Sequence, residues 1–141
     1  MEFAGFDHVD TRVRSLRAVE RFYDALMPRL GLTRKHCVTV VGDEWTEVAC
    51  ADPHNGIEYF AEPGDGNVPA FIGFIEDPQM TPTLTRIAFR VRDRAELAAW
   101  HRFLAEIGAQ NVEPSGDMEN YPAIFFEDPA GTRLEVCARK R

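Results

Sequence analysis

Apolar and polar positions alternate at two places in the chain. Val9, Thr11 and Val13 alternate with His8, Asp10 and Arg12, and Ile87, Phe89 and Val91 alternate with Arg86, Ala88 and Arg90. A period of two predicts a strand with one buried face. After each strand the period lengthens to that of a helix, through Leu16, Val19, Phe22, Tyr23 and Leu26 in one case and Leu97, Trp100, Phe103, Leu104 and Ile107 in the other. Ser15 and Asp93 stand where an N-cap belongs, and Gly31 and Gly108 where a helix stops.

The two patterns are copies. Arg12-Val13-Arg14 matches Arg90-Val91-Arg92, and at the same offset Val19 meets Leu97, Phe22 meets Trp100 and Leu26 meets Leu104. Further on, Asp52-Pro53-His54-Asn55-Gly56 echoes Asp128-Pro129-Ala130-Gly131, and Glu58 falls against Glu135. Repetition at both ends of each half predicts two modules of one design, about 1–65 and 82–141, in a single domain spanning 1–141. Strands are expected over 34–41, 45–51 and 57–62, and over 111–113, 123–127 and 133–138, so each module reads βαβββ. The connecting stretch, about 63–83, holds an apolar island, Phe71-Ile72-Gly73-Phe74-Ile75. The island is either an edge strand added by the linker or the fourth strand of the first module.

Composition narrows the function. The 141 residues are 45% hydrophobic, enough for a core, and 16 basic against 23 acidic residues leave a net charge of −7. A nucleic-acid binder needs a clustered basic face; here the one basic run is Arg139-Lys140-Arg141, a solvated tail. No apolar stretch approaches the ~20 residues of a membrane span, and no signal peptide is visible, so neither nucleic acid nor membrane is expected as a partner. Three cysteines, Cys37, Cys50 and Cys137, without CxxC spacing read as reduced, inert thiols of a cytoplasmic protein. His36, His54 and His101 read as surface residues without partners at metal-ligand spacing.

The His8-Val9 strand, the Phe22-Tyr23-x-x-Leu26 helix before Leu30-Gly31-Leu32, the strand 86–91 and the closing segment from Phe126 to Val136 together resemble the vicinal oxygen chelate superfamily: glyoxalase I, extradiol dioxygenases and bleomycin-resistance proteins. The resemblance implies an α+β fold in which the two tandem βαβββ modules form a curled mixed sheet around a cleft, with helices on the outer face. It implies a homodimer, a small-molecule ligand, and metal ligands on the first and last strands of each module. Those positions are His8, Glu58 and Glu135, with Arg86 as the fourth. If the 71–75 island is the fourth strand, the Glu58 position passes to Phe71 or Ile72.

Imidazole plus two carboxylates suits Ni²⁺, Zn²⁺, Mn²⁺ or Fe²⁺. Arg86 does not, because a guanidinium has no lone pair to give and does not deprotonate. It is expected to pair with Glu135 or Glu58, or to clamp an anionic group of a substrate. This degenerate set favours a metal-free site over one holding a single divalent ion. The expected reading is a protein that binds a small anionic or aromatic compound between the modules, with Arg86, Trp45 and Tyr121 as binding residues and Glu135 as general base. The alternatives are a metal-dependent lyase, isomerase or dioxygenase, and a metal-free sequestering protein of the bleomycin-resistance kind.

Overall fold

A computed structural model of the chain describes residues 6–63 and 69–138; the basic run at 139–141 lies outside them. The first half contains β1 (His8–Val13), α1 (Leu16–Arg29), β2 (Arg34–Val41), β3 (Glu44–Val48), β4 (Gly56–Phe60) and β5 (Phe71–Glu76). The second contains β6 (Arg86–Arg90), a 3₁₀ turn (Arg94–Glu96), α2 (Leu97–Glu106), β7 (Gln110–Pro114), β8 (Ala123–Glu127) and β9 (Arg133–Cys137).

Local chemistry sets the helix ends. Gly31 (φ 85°) and Gly108 (φ 90°) adopt the left-handed conformation that ends a helix without a Cβ clash. Asp93 caps the 3₁₀ turn by accepting from the Ala95 amide at 2.8 Å. Ser15 occupies the N-cap of α1, but its side chain makes no capping bond. Glu76 does that work, accepting from the Leu16 amide at 2.7 Å.

The strands form two sheets, ordered β1-β5-β4-β2-β3 and β6-β9-β8-β7. In each, the opening strand pairs in parallel with the last one, β1 with β5 and β6 with β9. The duplication is therefore real, with β5 matching β9, β4 matching β8, β2 matching β7, and β3 an additional edge strand. The apolar island is the module's last strand. It lies between β1 and β4, and its positions on the open face are Phe71, Gly73 and Ile75, so no polar residue marks a period of two. The sheets do not close on each other: among the described residues no strand of one is hydrogen-bonded to the other.

One hydrophobic core serves both sheets. Leu16, Val19, Phe22, Tyr23, Leu26 and Met27 of α1 are buried, and the Tyr23 ring stacks on Phe74 at 3.6 Å. Phe22 reaches Phe126 of the second sheet, with ring centroids 6.5 Å apart. Arg29 lies over the Phe103 ring of α2 at 4.7 Å. Each of these large side chains contributes roughly 1.5–3 kcal/mol through burial. The helices cover one face of their sheets and leave the other open.

Candidate functional site

On the first sheet, register decides which residues share the open face. His8 pairs with Phe71 and Asp10 with Gly73; Glu58 pairs with Gly73 and His36 with Glu58. Paired residues point the same way, so His8, Asp10, Glu58 and His36 lie on the face opposite the buried Ile57, Tyr59, Ile72 and Phe74. An aromatic row supports them: His8 stacks on Phe71 at 4.6 Å, Phe71 on Phe60 at 4.5 Å, and His36 lies 4.8 Å from Phe60. The Asp10 carboxylate fills the space that a Cβ on Gly73 would need.

The electrostatics of this face are anionic. Burial raises the pKa of Glu58, and the neighbouring Asp10 carboxylate raises it further. His8 is also raised, chiefly by its hydrogen bond with Asp7 at 2.7 Å; Asp10 lies 3.7 Å from its other ring nitrogen.

The second sheet carries a different set. Arg86 holds the place that His8 has in the first module, and its guanidinium carbon sits 4.4 Å from the centroid of the Phe125 ring. Glu135 is 3% exposed and accepts the Tyr121 hydroxyl on Oε1 at 2.6 Å. Ala88 and Phe125 flank Glu135 on the adjoining strands, so Arg86, Phe125 and Glu135 share one face. Arg86, Phe125, Asn111, Glu113, Glu127 and Arg133 line a cavity of about 240 Å³. Among the described residues, no ion pair joins Arg86 to Glu135 or Glu58; its guanidinium lies over the Phe125 ring instead.

The expected metal set does not assemble within the chain. By strand order, the counterpart of Glu135 is Gly73, on β5, whereas Glu58 lies on β4 and corresponds to Phe125. The fourth position thus passes to a residue with no side chain, one beyond Ile72. The match of Glu58 to Glu135 followed the two Asp-Pro turns, which join different strands: 52–55 precedes β4, and 128–132 precedes β9. Among the described residues, His8, Glu58 and Glu135 do not form a group with donor atoms within 4.8 Å of one another. With arginine at the remaining position, these residues do not fit a divalent ion inside one chain.

Trp45 lies on β3, the strand without a counterpart in the second module, and is 42% exposed. Like Tyr121 and Glu135, it is not among the residues lining the Arg86 cavity. The crevice between the modules is small, about 130 Å³. Its walls include Val9, Asp10, Thr11, Ile87 and Arg133, and none of the expected site residues.

Two sequence expectations are overturned. Cys37 and Cys50 form a disulfide, and Cys50 is exposed; Cys137 is buried and lies outside that bridge. Compartment statistics had favoured reduced cysteines, but the β2–β3 hairpin carries the chain back until the two meet. His54 is not a bare surface residue. Its side chain is 11% exposed, and with Glu20 and Cys37 it forms the group of three donors lying within 4.8 Å of one another. The missed signal was the Glu20/Asp24 pair, one turn apart on the polar side of α1.

The likeness to known proteins covers the whole fold. The model of the Glyoxalase/Bleomycin resistance protein/Dioxygenase superfamily matches residues 5–136. Over 89 residues the chain is 35% identical to "Putative ring-cleaving dioxygenase MhqA" of Bacillus subtilis (strain 168), matching 57% of this chain and 27% of that one. The chain thus covers about a quarter of that relative's length. A glyoxalase/bleomycin resistance protein from Albidiferax ferrireducens T118 is similar in structure, with a TM-score of 0.62 at 20% identity, covering 96% of this chain and 98% of that one. So is a mutant of the fosfomycin resistance protein FosX from Listeria monocytogenes, complexed with Mn(II) and 1S,2S-dihydroxypropylphosphonic acid. Its TM-score is 0.59 at 15% identity, covering 99% and 93% of the two chains. At these identities the structures speak for the fold.

Proposed function

The chain belongs to the Glyoxalase/Bleomycin resistance protein/Dioxygenase superfamily, and from that premise we propose that it binds a small anionic or aromatic molecule on the open face of its second sheet. The observation that carries this reading is the Arg86 guanidinium over the Phe125 ring, on the face these two residues share with the buried Glu135. A stacked guanidinium keeps its edge donors for an anion and offers bidentate hydrogen bonds to a carboxylate or phosphonate. Phe125 adds an apolar wall for a ring. Tyr121 already occupies Oε1 of Glu135, so Oε2 is the oxygen that takes or returns a substrate proton.

The test is a thermal-shift screen with benzoate, phenylphosphonate and related anions. A ligand that binds the folded state raises Tm, and the rise must disappear in Arg86→Ala. Stabilisation that survives the substitution would sink the reading.

A second reading is the metal-dependent lyase, isomerase or dioxygenase using His8, Glu58 and Glu135. The crowding of Glu58 by Asp10 on the His8 face favours it, since close carboxylates draw a cation. Because the donors do not meet within a chain, this reading needs a second copy to supply Glu135. Homodimerisation and a cytoplasmic location are part of the proposal in either case. Under the second reading, Ni²⁺, Mn²⁺, Zn²⁺ or Fe²⁺ raises Tm in wild type but not in His8→Ala, and sedimentation reports a dimer. The third reading, a metal-free sequestering protein of the bleomycin-resistance kind, is tested by whether bleomycin raises Tm.

A further inference from the structure

We infer that Cys37, Cys50, His54 and Glu20 constitute a second site, away from both open faces, that takes a zinc-like divalent ion once the Cys37–Cys50 disulfide is reduced.

Three elements converge here. Glu20 comes from α1, Cys37 from β2, and Cys50 and His54 from the segment between β3 and β4. The donor atoms of Glu20, Cys37 and His54 lie within 4.8 Å of one another; Cys50 Sγ is bonded to Cys37 Sγ but stands outside that group, and it joins as the fourth donor by moving once the bridge opens. Glu20, Cys50 and His54 line an open cavity of about 740 Å³, which gives an ion a way in. Cys37 is 1% exposed beneath it.

The His54 ring is set as a metal-binding imidazole is. Its Nδ1 lies 2.8 Å from the Asp52 carbonyl, to which it can only donate. Nε2 in turn points into the cluster, 3.2 Å from Glu20 Oε1. An N–H held by a backbone carbonyl fixes the ring; Nε2 donates to Glu20 in the ion-free form and becomes the ligand when an ion displaces that proton to solvent. Lys35 bonds Glu20 Oε1 at 2.7 Å and Asp24 at 2.8 Å, so it keeps Asp24 when Glu20 turns to a metal.

In the disulfide form neither sulfur is a thiolate, and the donor set is two short. Reduction by a dithiol supplies the missing pair. One dithiol sulfur attacks the exposed Cys50 Sγ and expels Cys37 as thiolate. The second then displaces Cys50, and the reductant leaves as a disulfide carrying the electron deficit. When the ion binds, each cysteine ligates as thiolate and releases its proton to solvent. Two thiolates, one imidazole and one carboxylate make a tetrahedral set that suits Zn²⁺. The spacing, Cys37-x₁₂-Cys50-x₃-His54, brings three ligands from one hairpin and its outgoing turn. In a reducing compartment the pair is open and the site is competent.

The experiment titrates Co²⁺, as a spectroscopic stand-in for Zn²⁺, into the full chain with and without a phosphine reductant. The reduced protein should show a thiolate-to-cobalt charge-transfer band in the near ultraviolet, saturating at one ion per chain and bleached by Zn²⁺. The oxidised protein should show none. His54→Ala should weaken Co²⁺ binding at least about tenfold, and Cys50→Ser, at an exposed position, should diminish the band. His8→Ala should leave it unchanged, which separates this site from the metal reading of the first sheet. Binding without a thiolate band, equal binding by oxidised and reduced protein, or a band indifferent to Cys50→Ser and His54→Ala would each overturn the inference.

Discussion

The Tyr23 hydroxyl donates to Asp128 Oδ2 at 2.6 Å, across 105 residues of sequence, with both side chains fully buried. This bond ties the helix of the first module to the β8–β9 turn of the second. The other oxygen, Oδ1, accepts from the Ala130 and Thr132 amides at 2.8 Å each, so the carboxylate organises its own turn while it anchors α1. Burial pushes the Tyr23 phenol well above its ordinary pKa, with the Asp128 charge adding to the effect. Tyr23→Phe leaves Asp128 Oδ2 buried without this donor. A loss of about 1–3 kcal/mol is expected in urea unfolding; an unchanged midpoint would refute the coupling.

Glu58 predicts a pH effect with a definite sign. Its folded-state pKa is raised, first by burial and then by Asp10. The folded form therefore holds this proton more tightly than the unfolded chain does. The associated stability is present below the ordinary glutamate range near 4.5 and is lost as pH rises through the folded value. Glu58→Gln keeps the neutral form at every pH. Its Tm should exceed that of wild type by a few degrees at neutral pH, and the difference should vanish toward pH 4.

Arg86 is exposed, and its stacking on Phe125 adds little to folding. Arg86→Ala should change unfolding stability by less than about 0.5 kcal/mol. By calorimetry, however, it should lower affinity for an aromatic anion such as phenylphosphonate by about 10- to 100-fold, the value of a charge-assisted bidentate contact. Arg86→Lys keeps the charge but not the fork, and should recover only part of the loss.

The Cys37–Cys50 bridge closes a short loop, with 13 residues of sequence separation. Constraint of the unfolded chain by such a loop is worth about 2–3 kcal/mol. Cys50→Ser, which leaves the buried Cys37 in place, should lower the urea midpoint accordingly under oxidising conditions. With a reductant present, variant and wild type should nearly coincide.

Much of this architecture was legible in the sequence because the signals were local. Alternation at 8–13 and 86–91, helical spacing after each, and the two stop glycines gave the opening strands and both helices. What could not be read is what depends on pairing. Phe71–Ile75 carries no period, because the positions it turns to the open face are Phe71, Gly73 and Ile75 rather than polar residues, so its place in the sheet is not legible from alternation. The Asp-Pro turns misled in the opposite way: they report local backbone preference and recur wherever such a turn is needed, whatever strands it joins. The shift from Glu58 to Gly73 as the partner of Glu135 follows from that one error.

The site residues divide similarly. His8 and Arg86 stand at corresponding places on the opening strands of the two modules and Glu135 on the last strand, positions the repeat makes visible, and the Tyr121 hydroxyl donates to Glu135. Trp45 stands on β3, an edge strand with no copy in the second half. Glu20, Cys37 and His54 come from a helix, a strand and a turn, and only tertiary packing brings them together.

A core shared by the two copies has a consequence for how the molecule came to be and how it comes apart. Phe22 and Phe126, or Tyr23 and Asp128, are halves of contacts that neither copy can complete alone. A single module of this design would leave those side chains uncovered unless a second copy packed against it. Severing the present chain between Asp77 and Thr85 should yield two fragments that are insoluble apart and recombine when mixed.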